Sequence, residues 1–497
     1  MANRCPGCGG TLRFDIQKQK LVCEYCDSEY DAESIEEVRS ADEKLVFNGE
    51  SMEAKIFKCP NCGAEVFATD LDAVEYCSYC GTFVTLESRL ARIRKPSYII
   101  PFNGTKEKCL ELYMEELRES HFLPKYMNAE SVESNLRNFY IPFWVYSQKF
   151  KEDTDVKFKT TVDYTDKDAD FRQRFDTGLV RYSTSAKIKG GVEGMIFDAS
   201  SNLDDRISEE IKNFPITSLK PFKGAVMAGS YADVADVRSE TYMDDACAKG
   251  LTAVAGKIQD RVKGSKAIHI DVKYGKQALF FTDPALGQNP EDYCDVDAKL
   301  AMLPVWFLTY RNKKRVFYSV INGFTGKMFT GIPVDVKKYL FWSIIIAIPF
   351  FLILELLFGF VVNYDFANFK NANNFWFYTL LIAVAEIFLD RRVFLQKLDR
   401  EMNRVDDKGY KTLQKDDSVK KDKKKKKTDF TLIKLIAALA LSFIIAYFGN
   451  SVITGCVATI INIITIIAST VSKVKEHNLS CSRPVPHFFD KRKEAGK

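Results

Sequence analysis

Hydrophobic and polar positions are segregated along this chain of 497 residues. From about 97 to 335, short aromatic and β-branched runs alternate with polar turns, a pattern that suits strands on a half-buried pleated surface. It predicts strands at 140–150, 155–165, 178–188, 266–274, 301–310 and 315–321, with a tight turn at Asn322-Gly323 after the last. Two segments carry helical spacing instead. One places Cys109, Leu110, Leu112, Tyr113 and Leu117 behind Thr105 as an N-cap; the other covers 238–262, where Leu251, Val254 and Ile258 recur among alanines after Arg238-Ser239-Glu240. The mixture predicts a central α+β domain over 97–335.

Within that domain Tyr140-Ile141-Pro142-Phe143-Trp144-Val145-Tyr146 is echoed by Leu303-Pro304-Val305-Trp306-Phe307-Leu308-Thr309-Tyr310. Proline donates no backbone hydrogen bond, so the repeat predicts two edge strands carrying core tryptophans.

Beyond 335 the apolar residues merge. Tyr339–Val362 is 24 mostly apolar residues, long enough for about 30 Å of hydrocarbon; Phe375–Leu389 is shorter, and Phe430–Phe448 and Val452–Val471 flank Gly449-Asn450-Ser451. These predict four transmembrane α-helices in two hairpins, over 339–390 and 430–471. Lys337-Lys338, Arg391-Arg392, the run Lys423–Lys427, Lys473 and Lys475 then share one side, whereas the loops 363–374 and 449–451 hold a single lysine. By the positive-inside rule the protein is expected in the cell membrane as a multi-pass protein with both termini cytoplasmic. The linker 391–428 carries 15 Lys/Arg against 7 Asp/Glu, which suits attraction to anionic lipid through Lys423–Lys427 or simply a solvated topology signal. Glu355 and Glu386 lie within spans, and Glu386 is placed to pair with Lys434. A basic 472–497 tail closes the chain.

Eight of the thirteen cysteines fall in the first 80 residues. Cys5-x2-Cys8 precedes Cys23-x2-Cys26 by fourteen residues, and Cys59-x2-Cys62 precedes Cys77-x2-Cys80 by the same interval, a repeat offset by 54 residues. Two C-x-x-C knuckles supply a closed tetrahedron of thiolates, so the spacing predicts two structural Zn²⁺ sites in zinc ribbons over 1–45 and 46–90. Paired dithiols and an iron-sulfur cluster are the alternatives. Glycine after Cys8 and Cys62 lets the backbone bend around a metal. Thiolates and the absence of a secretory signal at the start agree with a reducing compartment.

Residues 1–85 carry 8 Lys/Arg against 16 Asp/Glu, and each zinc tetrathiolate adds two negative charges, so nucleic-acid binding is disfavoured and protein partners are expected. No enzyme is predicted. Gly323-Phe324-Thr325-Gly326-Lys327-Met328 is too short for a phosphate loop, and His121, His269, His477 and His487 form no metal or catalytic spacing. Cys109, Cys247 and Cys294 read as small core residues.

The double Cys-Pro-x-Cys-Gly ribbon, the two Pro-aromatic-Trp strands and Asn322-Gly323-x-Thr325-Gly326-Lys327 together resemble a bacterial family of TFIIB-type zinc-ribbon membrane proteins, often labelled relatives of the primosomal helicase replication factor Y. Some similar proteins act in envelope-stress systems with phage-shock-protein-A-like coat proteins. The resemblance implies a membrane-anchored adaptor or scaffold that recruits such a partner. The expected architecture is multidomain: two small β zinc ribbons, a central α+β domain and the four spans. Two other classes stay open, a membrane-tethered nucleic-acid or transcription-related protein and a transporter-like protein with a regulatory head.

Overall fold

A computed structural model describes residues 4–32, 51–68, 76–84, 86–127, 129–150, 154–164, 178–188, 191–250, 253, 277–280, 294–346, 349, 375–402, 430–449, 452–486 and 488. The first three strands are β1 (Leu12–Asp15), β2 (Lys20–Cys23) and β3 (Glu29–Tyr30), which make a small sheet of their own. They are followed by β4 (Ser51–Lys58), β5 (Glu65–Ala68), β6 (Glu87–Arg94) and β7 (Tyr98–Ile99), then helices α1 (Lys106–Glu119) and α2 (Ala129–Asn135). The long β8 (Arg137–Phe150) leads to β9 (Thr154–Tyr164), β10 (Gly178–Ile188), β11 (Gly191–Asp198) and helix α3 (Asp205–Ile211). Short strands β12 (Lys220–Pro221), β13 (Tyr231–Asp233) and β14 (Gln277–Phe280) precede β15 (Cys294–Asn312), β16 (Arg315–Asn322) and β17 (Met328–Thr330). Helices α4 (Phe375–Ala385), α5 (Arg391–Met402), α6 (Phe430–Gly449) and α7 (Val452–Ser480) follow, and β18 (Arg483–Pro484) ends the set.

One 12-stranded sheet runs β12-β7-β15-β8-β13-β5-β4-β6, with β11, β16, β17 and β18 branching from it. The antiparallel pair β8–β15 is its centre, in register from Cys294 opposite Phe150 to Phe307 opposite Arg137. Successive side chains on a strand alternate faces. Odd positions Phe139, Ile141, Phe143, Leu303, Val305 and Phe307 therefore bury against the second cysteine block and α3. Even positions Tyr140, Met302, Trp306, Leu308 and Tyr310 bury against α1, α2 and the first block. Both faces being covered, β15 reads as a near-continuous hydrophobic run rather than an alternating one.

This arrangement corrects the expectation of edge strands, because Pro142 and Pro304 lie in the two central strands. On the outer side of β8, pairing with β13 stops at Tyr140 and pairing with β11 starts at Phe143. On β15 the partner changes from β7, at Met302, to β16, at Val305. Each proline occupies a gap between successive neighbours, where no ladder needs its missing N–H. Trp144 and Trp306 donate from Nε1 to the carbonyls of Val237 and Gly104, both at 2.9 Å.

The predicted helix behind Thr105 is α1, whose N-cap hydroxyl accepts from the Lys108 N–H at 3.4 Å. The predicted 238–262 helix opens as a 3₁₀ turn over Ser239–Tyr242 and continues to 250; its remainder, and the strand predicted at 266–274, lie outside the described residues apart from helical residue 253. At Asn322 the chain turns as expected: Oδ1 accepts from the N–H groups of Phe324 and Thr325 at 2.9 and 2.8 Å. That turn, not a phosphate loop, is what Gly323–Lys327 builds.

The fold of four transmembrane α-helices in two hairpins is overturned. Among the described residues one helix, Ile453–Ser480, is long and apolar enough to cross a membrane, with a mean hydropathy of 1.9 in its most apolar window, and Leu432–Phe448 is a shorter apolar helix. The 11 residues of α4 rise only about 16 Å, and a π-helical turn over Glu386–Asp390 then carries the chain into the charged α5. Polar pairing marks the change: buried Arg391 meets Glu476 at 2.9 Å, and Glu386 pairs with Lys473 at 2.6 Å rather than with the expected Lys434. Of the expected span Tyr339–Val362, helical turns over 336–346 and residue 349 are described; the rest, including Glu355, lies outside, as do 403–429 with Lys423–Lys427.

Candidate metal centres

The eight predicted ligands come together as two sets of four, Cys5, Cys8, Cys23 and Cys26 in one and Cys59, Cys62, Cys77 and Cys80 in the other, each with all sulfurs within 4.8 Å of one another. Local sequence explains the shape. In each of the four knuckles the first cysteine's N–H donates to the carbonyl five residues on: Cys5 to Gly10, Cys23 to Ser28, Cys59 to Ala64 and Cys77 to Thr82. Its carbonyl in turn accepts from the N–H four residues on, at Gly9, Asp27, Gly63 and Gly81. That fourth residue sits at φ between 57° and 78° in every case. Left-handed backbone favours glycine, and Asp is among the side chains that tolerate it. The loop so formed turns both cysteines of a knuckle inward.

A tetrahedron with 2.3 Å metal–sulfur bonds has sulfur–sulfur edges of about 3.8 Å. Cys5–Cys26 and Cys8–Cys23 are 3.6 and 3.5 Å apart; Cys59–Cys80 and Cys62–Cys77 are both 3.7 Å. The donor sets therefore fit a thiolate-preferring cation, and both clusters are compatible with zinc ribbons. Close packing of sulfur also supports this fit at Gly10, where an added Cβ would lie 3.1 Å from Cys23 Sγ and 3.3 Å from Cys8 Sγ. Sulfur–sulfur hydrogen bonding splits the second set: contact with Cys59 pushes the Cys62 and Cys77 thiols up and holds Cys80 well below the ordinary thiol range. In the first set the Tyr30 hydroxyl brings Cys5 down to about 6. The four sulfurs of either set would give up those shared protons on holding a divalent cation.

Several supporting residues were not singled out from sequence. Ser28 Oγ lies 3.2 Å from Cys26 Sγ and Thr82 Oγ1 lies 3.3 Å from Cys80 Sγ. Both hydroxyls stand two residues after the fourth cysteine, so the repeat itself contained that signal. Asn61 Nδ2 donates to Cys80 Sγ at 3.4 Å. More distant groups had no local signature. Tyr76 donates its hydroxyl to the Thr309 carbonyl at 3.1 Å, Tyr318 donates to the Tyr79 carbonyl, and Thr309 donates to the Ser78 carbonyl. The Phe488 N–H donates to the carbonyl of ligand residue Cys62 at 2.6 Å, and its ring meets Tyr79 edge-on at 5.9 Å.

Cys109 and Cys247 are buried core residues away from both sets; the side chain of Cys294 lies outside the described residues. Among the described residues no histidine joins a metal-ligating group.

No known protein family matches this chain. No solved structure matches it either. An uncharacterized Bacillus subtilis (strain 168) protein, YdjG, is 23% identical over 354 residues, covering 71% of this chain and 96% of that protein.

Proposed function

We propose that this protein is a membrane-anchored zinc-ribbon adaptor, without catalysis, whose head presents surfaces to protein partners on the reducing side of the membrane. Cys5, Cys8, Cys23 and Cys26 hold one structural Zn²⁺ and Cys59, Cys62, Cys77 and Cys80 the other, each with no open coordination position for substrate. The observation that carries the reading is the continuity of the second cysteine block with the long apolar helix. After α7, Arg483 and Pro484 pair with β16, Arg483 meets Asp204, and Phe488 packs under Cys62. Head and anchor are thus one built unit.

The helices support the anchor. Between α4, α6 and α7, Asn462 Oδ1 accepts from the Ser442 hydroxyl at 2.6 Å and its Nδ2 donates to Thr379 at 3.1 Å, while Ile444, Ile460, Ile463 and Ile464 face outward. Polar groups inside and isoleucines outside suit hydrocarbon better than water. The resemblance to zinc-ribbon envelope-stress proteins extends the proposal to recruitment of a phage-shock-protein-A-like coat protein.

Alkaline extraction of cell membranes should leave the full chain in the pellet, and the detergent-purified protein should carry two zinc ions. In-cell cross-linking followed by nuclease-treated affinity purification should recover a reproducible protein partner. A chain released into the soluble fraction sinks the anchor, and recovery of nuclease-sensitive nucleic acid alone sinks the adaptor.

A further inference from the structure

The second cysteine block ends in β6, and β6 ends the sheet. It pairs with β4 from Glu87 opposite Lys58 to Arg94 opposite Ser51, and among the described residues its outer edge carries no strand. An eight-residue strand exposes about 26 Å of edge, and every second residue turns its N–H and C=O outward. Such an edge is a template for another strand.

The side chains say what kind of strand. Ala91 and Ile93 turn inward and pack on the core, which puts Leu90, Arg92 and Arg94 together on the opposite face. Leu90 is 78% exposed, an uncommon place for a large apolar residue beside an open edge. Counting Lys95, which follows the strand, the segment holds four Lys/Arg against Glu87, with Glu53 of β4 opposite Arg92. Arg89 reaches Glu65 at 3.5 Å and Arg94 lies 5.3 Å over the Trp144 ring, and both stay exposed to solvent.

We infer that the outer edge of β6 is a docking site for an extended acidic segment of a partner protein, which adds to the sheet as a further strand. Backbone hydrogen bonds hold it, acidic side chains meet the positive field of Arg89, Arg92, Arg94 and Lys95, and an apolar residue covers Leu90. A second copy of β6 is the poorer occupant, because self-pairing brings two arginine-rich strands side by side. Single-stranded nucleic acid is the poorer anion, because β6 offers no aromatic ring on which a base stacks. The inference rests on the adaptor reading and deepens it by naming the surface and the chemistry of the partner.

The test uses the full-length, zinc-loaded protein in detergent and a labelled peptide alternating glutamate and valine. Saturable binding is expected, with slowed amide exchange confined to 87–94. N-methylation of alternate peptide amides should weaken binding at least ~10-fold by removing the ladder, and Leu90→Glu, at a position 78% exposed, should weaken it about fivefold without moving the thermal midpoint. Equal binding of the N-methylated peptide, or binding without protection of β6, overturns the inference. So does stronger protection by an oligonucleotide of matched charge, or protection of β6 in concentrated protein alone. If β6 fails while nuclease-resistant protein partners are still captured, only the surface assignment falls; if no protein partner is captured, the adaptor reading falls with it.

Discussion

The two cysteine blocks have the same spacing and the same four-fold knuckle geometry, yet the molecule treats them differently. In the first, Cys8 and Cys26 are exposed and the small sheet pairs with no strand of the main one, meeting it instead through buried Leu12, Leu21 and Cys23 and through bonds such as Gln19 Nε2 to the Phe102 carbonyl at 2.7 Å. In the second, all four cysteines are buried, β4–β6 belong to the 12-stranded sheet, and Tyr79 lies edge-on to Phe139, Phe307 and Phe488. One repeat packs its own small sheet against a face of the main sheet, and the other contributes strands to that sheet. Equal ligands do not give equal sites, because a metal's hold depends on what orients and shields its thiolates.

The largest consequence concerns ligand loss. Cys62→Ser in the full chain should forfeit stabilisation on the order of 10 kcal/mol and melt the central sheet with it, whereas Cys8→Ser should unfold residues 4–32 and loosen only the sheet face they cover. Hydrogen exchange resolved by segment reads the difference, and equal spread from both variants would erase the distinction. Next in size is the C-terminal contact. Phe488→Ala should destabilise the head by roughly 3 kcal/mol in denaturant and hasten metal release from the second site while leaving the first unchanged. A metal-release profile identical to wild type would show that the ring only covers surface.

A kinetic comparison is milder. Under a chromogenic chelator the first site should empty at least ~10-fold faster than the second, giving two phases of equal amplitude; a single phase contradicts the asymmetry. Smallest is the backbone effect. Gly63→Ala, at φ 78°, should cost about 1 kcal/mol, while Asp27→Gly, at φ 57°, should be neutral or stabilise by a few tenths. Thermal midpoints of the two variants decide it, and a loss from Asp27→Gly would mean the aspartate serves the site in another way.

Much of the head was legible because its signals are local. Thr105 caps α1, Asn322 makes its turn, and all eight cysteines fall into the two predicted sets, since capping, turn chemistry and ligand spacing act over a few residues. The placement of Pro142 and Pro304 was not legible. Whether a proline needs a sheet edge depends on where neighbouring strands stop, and β7, β11, β13 and β16 are supplied from distant segments. The apolar stretches misled for a related reason. Hydropathy measures how greasy a segment is, but not its partners: the Arg391–Glu476 and Glu386–Lys473 pairs bind the end of α4 and the turn after it to the polar end of α7.

What the sequence by itself determined is therefore the inventory of short-range parts: two tetrathiolate sets, their knuckles, the capped helix and a long apolar helix near the C-terminus. What only the tertiary structure decided is which parts share a core. The second block joins the main sheet, Phe488 returns to it from more than 400 positions away in the chain, and β6 is left at the rim. Such pairings are settled by burial and by hydrogen bonds between segments that carry no mark of one another in their own residues.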